Sequence, residues 1–215
     1  MKAQIEEKLS QGFRCIKLKI GAIDFERELN LLHFIRQNFD ARTVEIRVDA
    51  NGAFKTNEAL GKLKRLARFE LHSIEQPIRQ GNQDEMEELC KLTPFPIALD
   101  EELIGVFGYE KKEALLKKIK PQYIILKPSL VGGFKGTLEW IALAEQYNIG
   151  WWITSALESN IGLNAITQFT FTLQNPMPQG LGTGGLYTNN FKSPLFIQKG
   201  TICYNSDEKW LNLIV

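Results

Sequence analysis

Lys19, Asp49, Glu75, Asp100 and Lys127 follow one another at intervals of 30, 26, 25 and 27 residues. Three carboxylates brought together would repel one another unless a cation sat between them. Their ligand atoms are hard oxygens, with no His or Cys in the set, so Mg²⁺ is expected in preference to zinc, with Mn²⁺ as a substitute. Coordination positions left over would suit water or a substrate carboxylate. Lys19 and Lys127 would flank this centre. A lysine acts as a base only when neutral, and burial together with positive charge from the metal, Lys17 and Lys127 would lower its pKa. The chemistry open to such a set is removal of a proton alpha to a carboxylate, with charge stabilisation of the anion that forms.

Those residues need elements that deliver them to one place. Short β-rich runs are expected at residues 15–20 (CIKLKI), 44–49 (VEIRVD), 72–75 (HSIE), 97–100 (IALD), 123–127 (YIILK) and 151–155 (WWITS), with a weaker one at 179–183 (QGLGT). Between them lie amphipathic runs. Phe25, Leu29, Leu32 and Ile35 share one stripe; Leu60, Leu63 and Ala67 share another; Leu138, Ile141 and Ala142 mark a third. Asp24, Thr56 and Asn82 are expected N-caps, and Glu85 after Asn82 has capping-box spacing. Alternating strands and helices predict βαβ units and a parallel sheet. Five successive strands would each end in an ionisable residue. A closed barrel makes such ends converge, whereas an open doubly wound sheet strings them along its edge.

Alternation within the runs agrees. Lys17 and Lys19 share a face with Cys15, and Glu45, Arg47 and Asp49 share one opposite Val44, Ile46 and Val48. The apolar face is expected to meet the helices and the polar one the barrel interior, where pairing or metal must offset burial. Taken singly, each position has a plainer reading. A Lys-x-Lys on a strand is a solvated face, a strand-end Asp is an N-cap, and Asp100–Glu101–Glu102 is an acidic turn. Five such positions in register, in the order Lys, Asp, Glu, Asp, Lys, do not reduce to those readings. His33 and His72 are expected to be structural, and Gly132–Gly133 a tight βα turn.

Composition removes other classes. The 215 residues are 44% hydrophobic and 24% charged, enough for one substantial core. A net charge of +1 without a basic stripe argues against nucleic acid as partner. No stretch has the apolar length of a membrane span, and the start, MKAQIEEKLSQGF, reads as a helix and not as a signal peptide. Cys15, Cys90 and Cys203 are scattered and odd in number, so neither zinc nor a disulfide framework is expected, and a cytoplasmic location fits.

With these residues in view, the chain resembles the enolase superfamily, in its muconate lactonizing enzyme subgroup. The matching segments are KLKIG with Lys17 and Lys19, RVDANGAF with Asp49, IEQP with Glu75, LDEEL with Asp100 and LKPSLVGG with Lys127. TSALESNIGLNAI (154–166) and QGLGTGGLY (179–187) are similar to the seventh and eighth strand ends of the o-succinylbenzoate synthase family. The resemblance implies an α/β fold, a (β/α) TIM-type barrel incomplete at its N-terminus, with the first strand and the capping domain absent. Residues 1–190 would be the barrel and 191–215 a tail that in the family packs on the capping domain, with LFIQKGTICY a hairpin around Lys199–Gly200.

The same resemblance implies roles. Asp49, Glu75 and Asp100 would hold Mg²⁺. Lys19 would take the proton alpha to the carboxylate and return it to the departing hydroxyl, Lys127 would stabilise charge from the opposite face, and Lys17 would tune Lys19. Asn51 and Glu101 would support these groups, and Ser155 and Ser159 would lie near the substrate's succinyl arm. The reaction implied is a hydro-lyase step, syn dehydration of 2-succinyl-6-hydroxy-2,4-cyclohexadiene-1-carboxylate to o-succinylbenzoate, in menaquinone biosynthesis. Two other readings stay open. A racemase or epimerase of the subgroup could use Lys19 and Lys127 as two bases, although GLGTGG lacks the Asp-x-Asp expected of a dipeptide epimerase. An inactive metal-binding fragment is the other. A barrel short of its first strand would expose two sheet edges and invite self-association.

Overall fold

The computed structural model describes residues 2–182 and 187–210. Part of the expected 179–183 strand, the last three residues of GLGTGG and the last five residues of the expected tail lie outside the described residues.

Helix α1 (Lys2–Ser10) leads into six parallel strands: β1 (Cys15–Lys19), β2 (Glu45–Asp49), β3 (Ser73–Glu75), β4 (Ile97–Leu99), β5 (Tyr123–Leu126) and β6 (Gly150–Ile153). They pair in chain order, β1-β2-β3-β4-β5-β6. Helices α2 (Phe25–Asn38), α3 (Thr56–Leu66), α4 (Gln83–Leu92), α5 (Tyr109–Ile119), α6 (Gly133–Gln146) and α7 (Asn160–Thr172) follow β1 to β6 in turn. This is the βαβ alternation expected, curled into most of a barrel.

Two cores separate along the strand faces. Ile16, Leu18, Ile46, Val48 and Ile74 join Leu29, Leu32, Ile35, Leu63 and Met86 in the layer between sheet and helices. Ala98, Ile125 and Trp152 form a smaller inner cluster with Tyr123 and Met177. His72 and Tyr123 pack there with ring centroids 4.9 Å apart, and Arg47 lies 4.0 Å over the Trp152 ring. Arg47 shows how an inward polar group is accommodated by pairing. Arg47 holds Glu45 at 2.7 Å and the Pro178 carbonyl at 3.0 Å.

Local signals were met unevenly. Asp24 caps α2 by accepting from the Arg27 N–H at 3.2 Å. Thr56 proves to be the first helical residue, with Lys55 at the cap. Asn82 stands at the N-cap of α4, but its side chain donates to the Arg79 carbonyl and no capping box forms. On α6 the buried stripe is Thr137, Trp140, Ile141, Leu143 and Ala144, whereas Leu138 is 47% exposed and Ala142 faces out. The helix turns its bulkiest side chain, Trp140, to the sheet, and that choice rotates the expected stripe.

The weak seventh strand reduces to a bridge between Thr154 and Gly180. The Gly180 N–H donates to Ile153 O at 2.8 Å, and a Cβ at Gly180 would come within 2.5 Å of Thr154 Oγ1, so only glycine approaches this closely. A separate hairpin, β7 (Leu195–Gln198) and β8 (Thr201–Tyr204), turns at Lys199 and Gly200. Both turn residues have positive φ, as a two-residue hairpin loop favours. Among the described residues β1 pairs only with β2. Its other edge faces a cavity of about 770 Å³ whose lining includes Cys15, Arg47, Trp152, Gly180 and Ile197.

Candidate active site

Strand register sets the geometry of the rim. Lys19 pairs with Asp49 across β1 and β2, and Asp49 with Glu75 across β2 and β3, so these three side chains form one inward row. Glu75 lies opposite Ala98, which puts Asp100 two residues above it on the same face. Extending the Ala98–Tyr123 register sets Asp100 level with Ile125 and raises Lys127 one more inward layer. The stagger is the shear of a closing barrel, and it carries the row around the rim and upward.

The carboxylates are buried, at 0% exposure for Asp49, 2% for Glu75 and 1% for Asp100. Lys17 Nζ lies 2.9 Å from Asp49 Oδ2 and 2.6 Å from Glu75 Oε2. Lys19 Nζ lies 2.7 Å from Asp49 Oδ2 and 2.5 Å from Asn51 Oδ1. Lys127 pairs with Asp100. Asn51 donates from its backbone to Asp49 at 2.9 Å and from its amide to Glu101 at 2.8 Å. The five rim residues, Lys17, Asn51 and Glu101 are therefore brought together. Lys19 departs from expectation in one respect: its side chain is 61% exposed, where burial was expected. It stands at the open edge of the sheet, beyond which no described strand covers it.

Ser155 accepts from the Gly182 N–H at 2.8 Å, which ties the loop after β6 to the segment beyond Gly180. Ser159 is the N-cap residue of α7 without a side-chain cap bond. Neither touches the carboxylate row. Gln76 and Glu102, which the sequence reading passed over, are buried directly behind the row. Their only sequence signal is adjacency, Gln76 to Glu75 and Glu102 to Asp100 and Glu101.

The electrostatics suit a cation. Burial pushes the Glu75 carboxyl up to about 9, against the pull of Lys17, and the charges of Asp49 and Asp100 add to the push. Glu75 Oε1 is buried with no hydrogen-bond partner. Burial also works against the Asp49 charge, but Lys17 and Lys19 outweigh it and hold Asp49 below the usual carboxylate range. Lys17 is pulled down by burial and lifted above its ordinary value by Glu75 and Asp49. The expected convergence on one coordination sphere is only partly drawn. The carboxylates adjoin, but their oxygens are held by lysine ammonium groups, and among the described residues no three acidic, imidazole or thiol groups form a finished ligand set. An orphaned buried carboxylate oxygen and an all-oxygen donor set fit a hard divalent ion such as Mg²⁺.

Residues 1–206 match the Enolase C-terminal domain-like family. The chain belongs to that family. Over 202 residues, 94% of this chain and 55% of the relative, it is 59% identical to the o-succinylbenzoate synthase of Desulfotalea psychrophila. It is 33% identical to the N-succinylamino acid racemase of Thermus thermophilus, over 74% of this chain and 40% of that protein. Among solved structures, MenC from Desulfotalea psychrophila superposes with a TM-score of 0.89 at 57% identity, covering 94% of this chain and 55% of that one. Muconate lactonizing enzyme from Pseudomonas putida superposes with a TM-score of 0.83 at 26% identity, covering 93% and 56%. This member of the enolase barrel family thus spans about half the length of the curated relatives it matches. Its fold is the superfamily's C-terminal barrel, present here as six parallel strands.

Proposed function

We propose that this chain carries the catalytic barrel of an o-succinylbenzoate synthase. That enzyme is a hydro-lyase that converts 2-succinyl-6-hydroxy-2,4-cyclohexadiene-1-carboxylate to o-succinylbenzoate for menaquinone biosynthesis in the cytoplasm. The observation that supports it most is the rim itself. Lys19 and Lys127 stand at the two ends of a buried row of three carboxylates, in a chain 59% identical to a relative of that name.

Asp49, Glu75 and Asp100 would hold Mg²⁺, or Mn²⁺ in its place, which supplies positive charge beside the substrate carboxylate as negative charge develops there. Lys19, aimed by Asn51, removes the proton alpha to that carboxylate. The electron pair left behind forms the ring double bond as the C–O bond to the hydroxyl breaks. Lys19 returns its proton to the departing oxygen, which leaves as water. One lysine serving both steps requires proton and hydroxyl on one face, hence syn elimination. Lys127 stays protonated on the other side and offsets the charge of the intermediate. Lys17, paired with Asp49 and Glu75, keeps a fixed positive charge beside Lys19. Glu101 steadies Asn51, and Ser155 and Ser159 face the succinyl arm.

A second reading, racemisation of N-acyl amino acids, is favoured by the same two lysines and by the 33% identity to an N-succinylamino acid racemase. The test is to supply a protein carrying this chain with each substrate and Mg²⁺. Formation of o-succinylbenzoate supports the synthase. Deuterium exchange at an N-succinyl amino acid without dehydration supports the racemase. Metal binding with neither activity leaves an inactive fragment. No nucleic acid or membrane partner enters this reading, and no helix among the described residues is long and apolar enough to cross a membrane.

A further inference from the structure

Gln76 stands at φ +37°, a region bulky L-residues rarely enter. It is fully buried, and all its polar groups are engaged. Its N–H donates to Ala98 O at 2.9 Å and its carbonyl accepts from the Gly52 N–H at 2.7 Å. Its side-chain Oε1 accepts from the Asp100 N–H at 3.3 Å and the Glu102 N–H at 3.2 Å. Its Nε2 donates to Ile78 O at 3.1 Å and to Glu102 Oε2 at 3.2 Å. Glu102 is itself held by the Gly81 N–H at 3.1 Å.

These partners belong to three rim loops. Gly52 follows Asp49 and Asn51 after β2. Gln76 directly follows Glu75 after β3. Asp100 and Glu102 lie after β4, on either side of Glu101. None of the bonds reaches a lysine of the row, so Gln76 touches no reacting group. We propose that Gln76 is a positioning residue, a clamp that fixes the loops after β2, β3 and β4 against one another and so sets the spacing of Asp49, Glu75 and Asp100 for a divalent cation. The inference rests on the reading of those three as metal ligands.

The site needs glutamine specifically. Two converging N–H groups need an acceptor, while a carbonyl and the Glu102 carboxylate need a donor. Glutamate would bring a second carboxylate against Glu102, and methionine has similar length but neither function. Groups behind metal ligands typically change affinity about 10–100-fold when removed.

The test is Mg²⁺ titration calorimetry with parallel thermal melts on the wild type, Q76M, Q76E and L116A. Leu116 is buried on α5, away from these loops, and its truncation gives a destabilised control. Q76M is expected to bind Mg²⁺ about 10–100-fold more weakly at temperatures where it is folded, with Q76E intermediate. L116A is expected to melt lower yet bind like the wild type. Folded Q76M with wild-type affinity overturns the clamp, as does an equal loss in L116A. Should Q76M not fold, Q76E and Glu102→Gln, which keep volume and each change one polar group, decide in the same way. A wild type that gives no Mg²⁺ heat at all removes the metal reading itself, a result distinct from a binding wild type matched by Q76M.

Discussion

The Lys19 ammonium lies 2.5 Å from the Asn51 amide oxygen, so a lysine on β1 is aimed by the residue two beyond the end of β2. Asn51 is held in turn by Glu101 from the loop after β4. Asn51→Ala is expected to lower kcat by about 10²-fold through misplacement of the base, with little change in KM. A rise in KM at constant kcat would assign Asn51 to substrate binding instead.

Lys19→Ala is expected to lose about 10²–10⁴-fold in dehydration, the usual worth of a positioned base. Lys19→Arg should not restore it, because a guanidinium stays protonated and is larger. Lys127→Ala should also lose orders of magnitude through loss of charge stabilisation. Steady-state turnover with folded Lys19→Ala near wild type would rule out this base.

Divalent metal should stabilise the fold. Glu75 is buried, carries an unpartnered oxygen and sits between two other carboxylates. Mg²⁺ at a hundred times its dissociation constant should raise stability by about 2.7 kcal/mol, and EDTA should reverse the rise. Glu75→Gln should abolish the Mg²⁺ effect on the melting curve. A melting temperature indifferent to Mg²⁺ in the wild type would argue against a site here.

His72 sets an acid limit. Burial, with Arg47 beside it, pulls the imidazole below its ordinary value of 6.5 against the opposing pull of Glu45. The folded chain therefore holds His72 neutral where the unfolded chain protonates it. Stability from this group is present in full above 6.5 and is lost progressively as pH falls from there through the lower pKa of the folded state. His72→Gln should flatten that part of the stability-against-pH curve, measured by urea denaturation at a series of pH values. An unchanged slope would assign the acid sensitivity elsewhere.

β1 offers an edge for pairing. Its free edge faces a cavity and no described strand, although Ile16 and Leu18 on its helix-facing side are buried. A chain of these 215 residues alone is expected to self-associate as concentration rises, read by sedimentation velocity. A sedimentation coefficient that stays monomeric over a hundredfold range of concentration would contradict this.

Spacing and alternation along the chain determined the barrel strands, the two strand faces and the five rim residues. Each βα unit is of similar length and each strand alternates in steps of two, so position in sequence maps directly to position on the rim. Asp24 was legible as a cap for the same reason, being a local bond between neighbours. Tertiary structure alone decided the rest. Trp140 took the core-facing side of α6 from Leu138 because the space beneath the helix suits the indole. Asn82 gave its side chain to Arg79 and left the capping box unmade. Lys112 became one of the largest fully buried side chains because the Gly136 carbonyl and Glu139 of α6 receive its ammonium at 2.9 Å. Gln76 shows the limit most clearly. Its left-handed backbone and its bonds to loops 24 and 26 residues away depend on how three strands are staggered, and no local pattern in IEQP encodes that stagger.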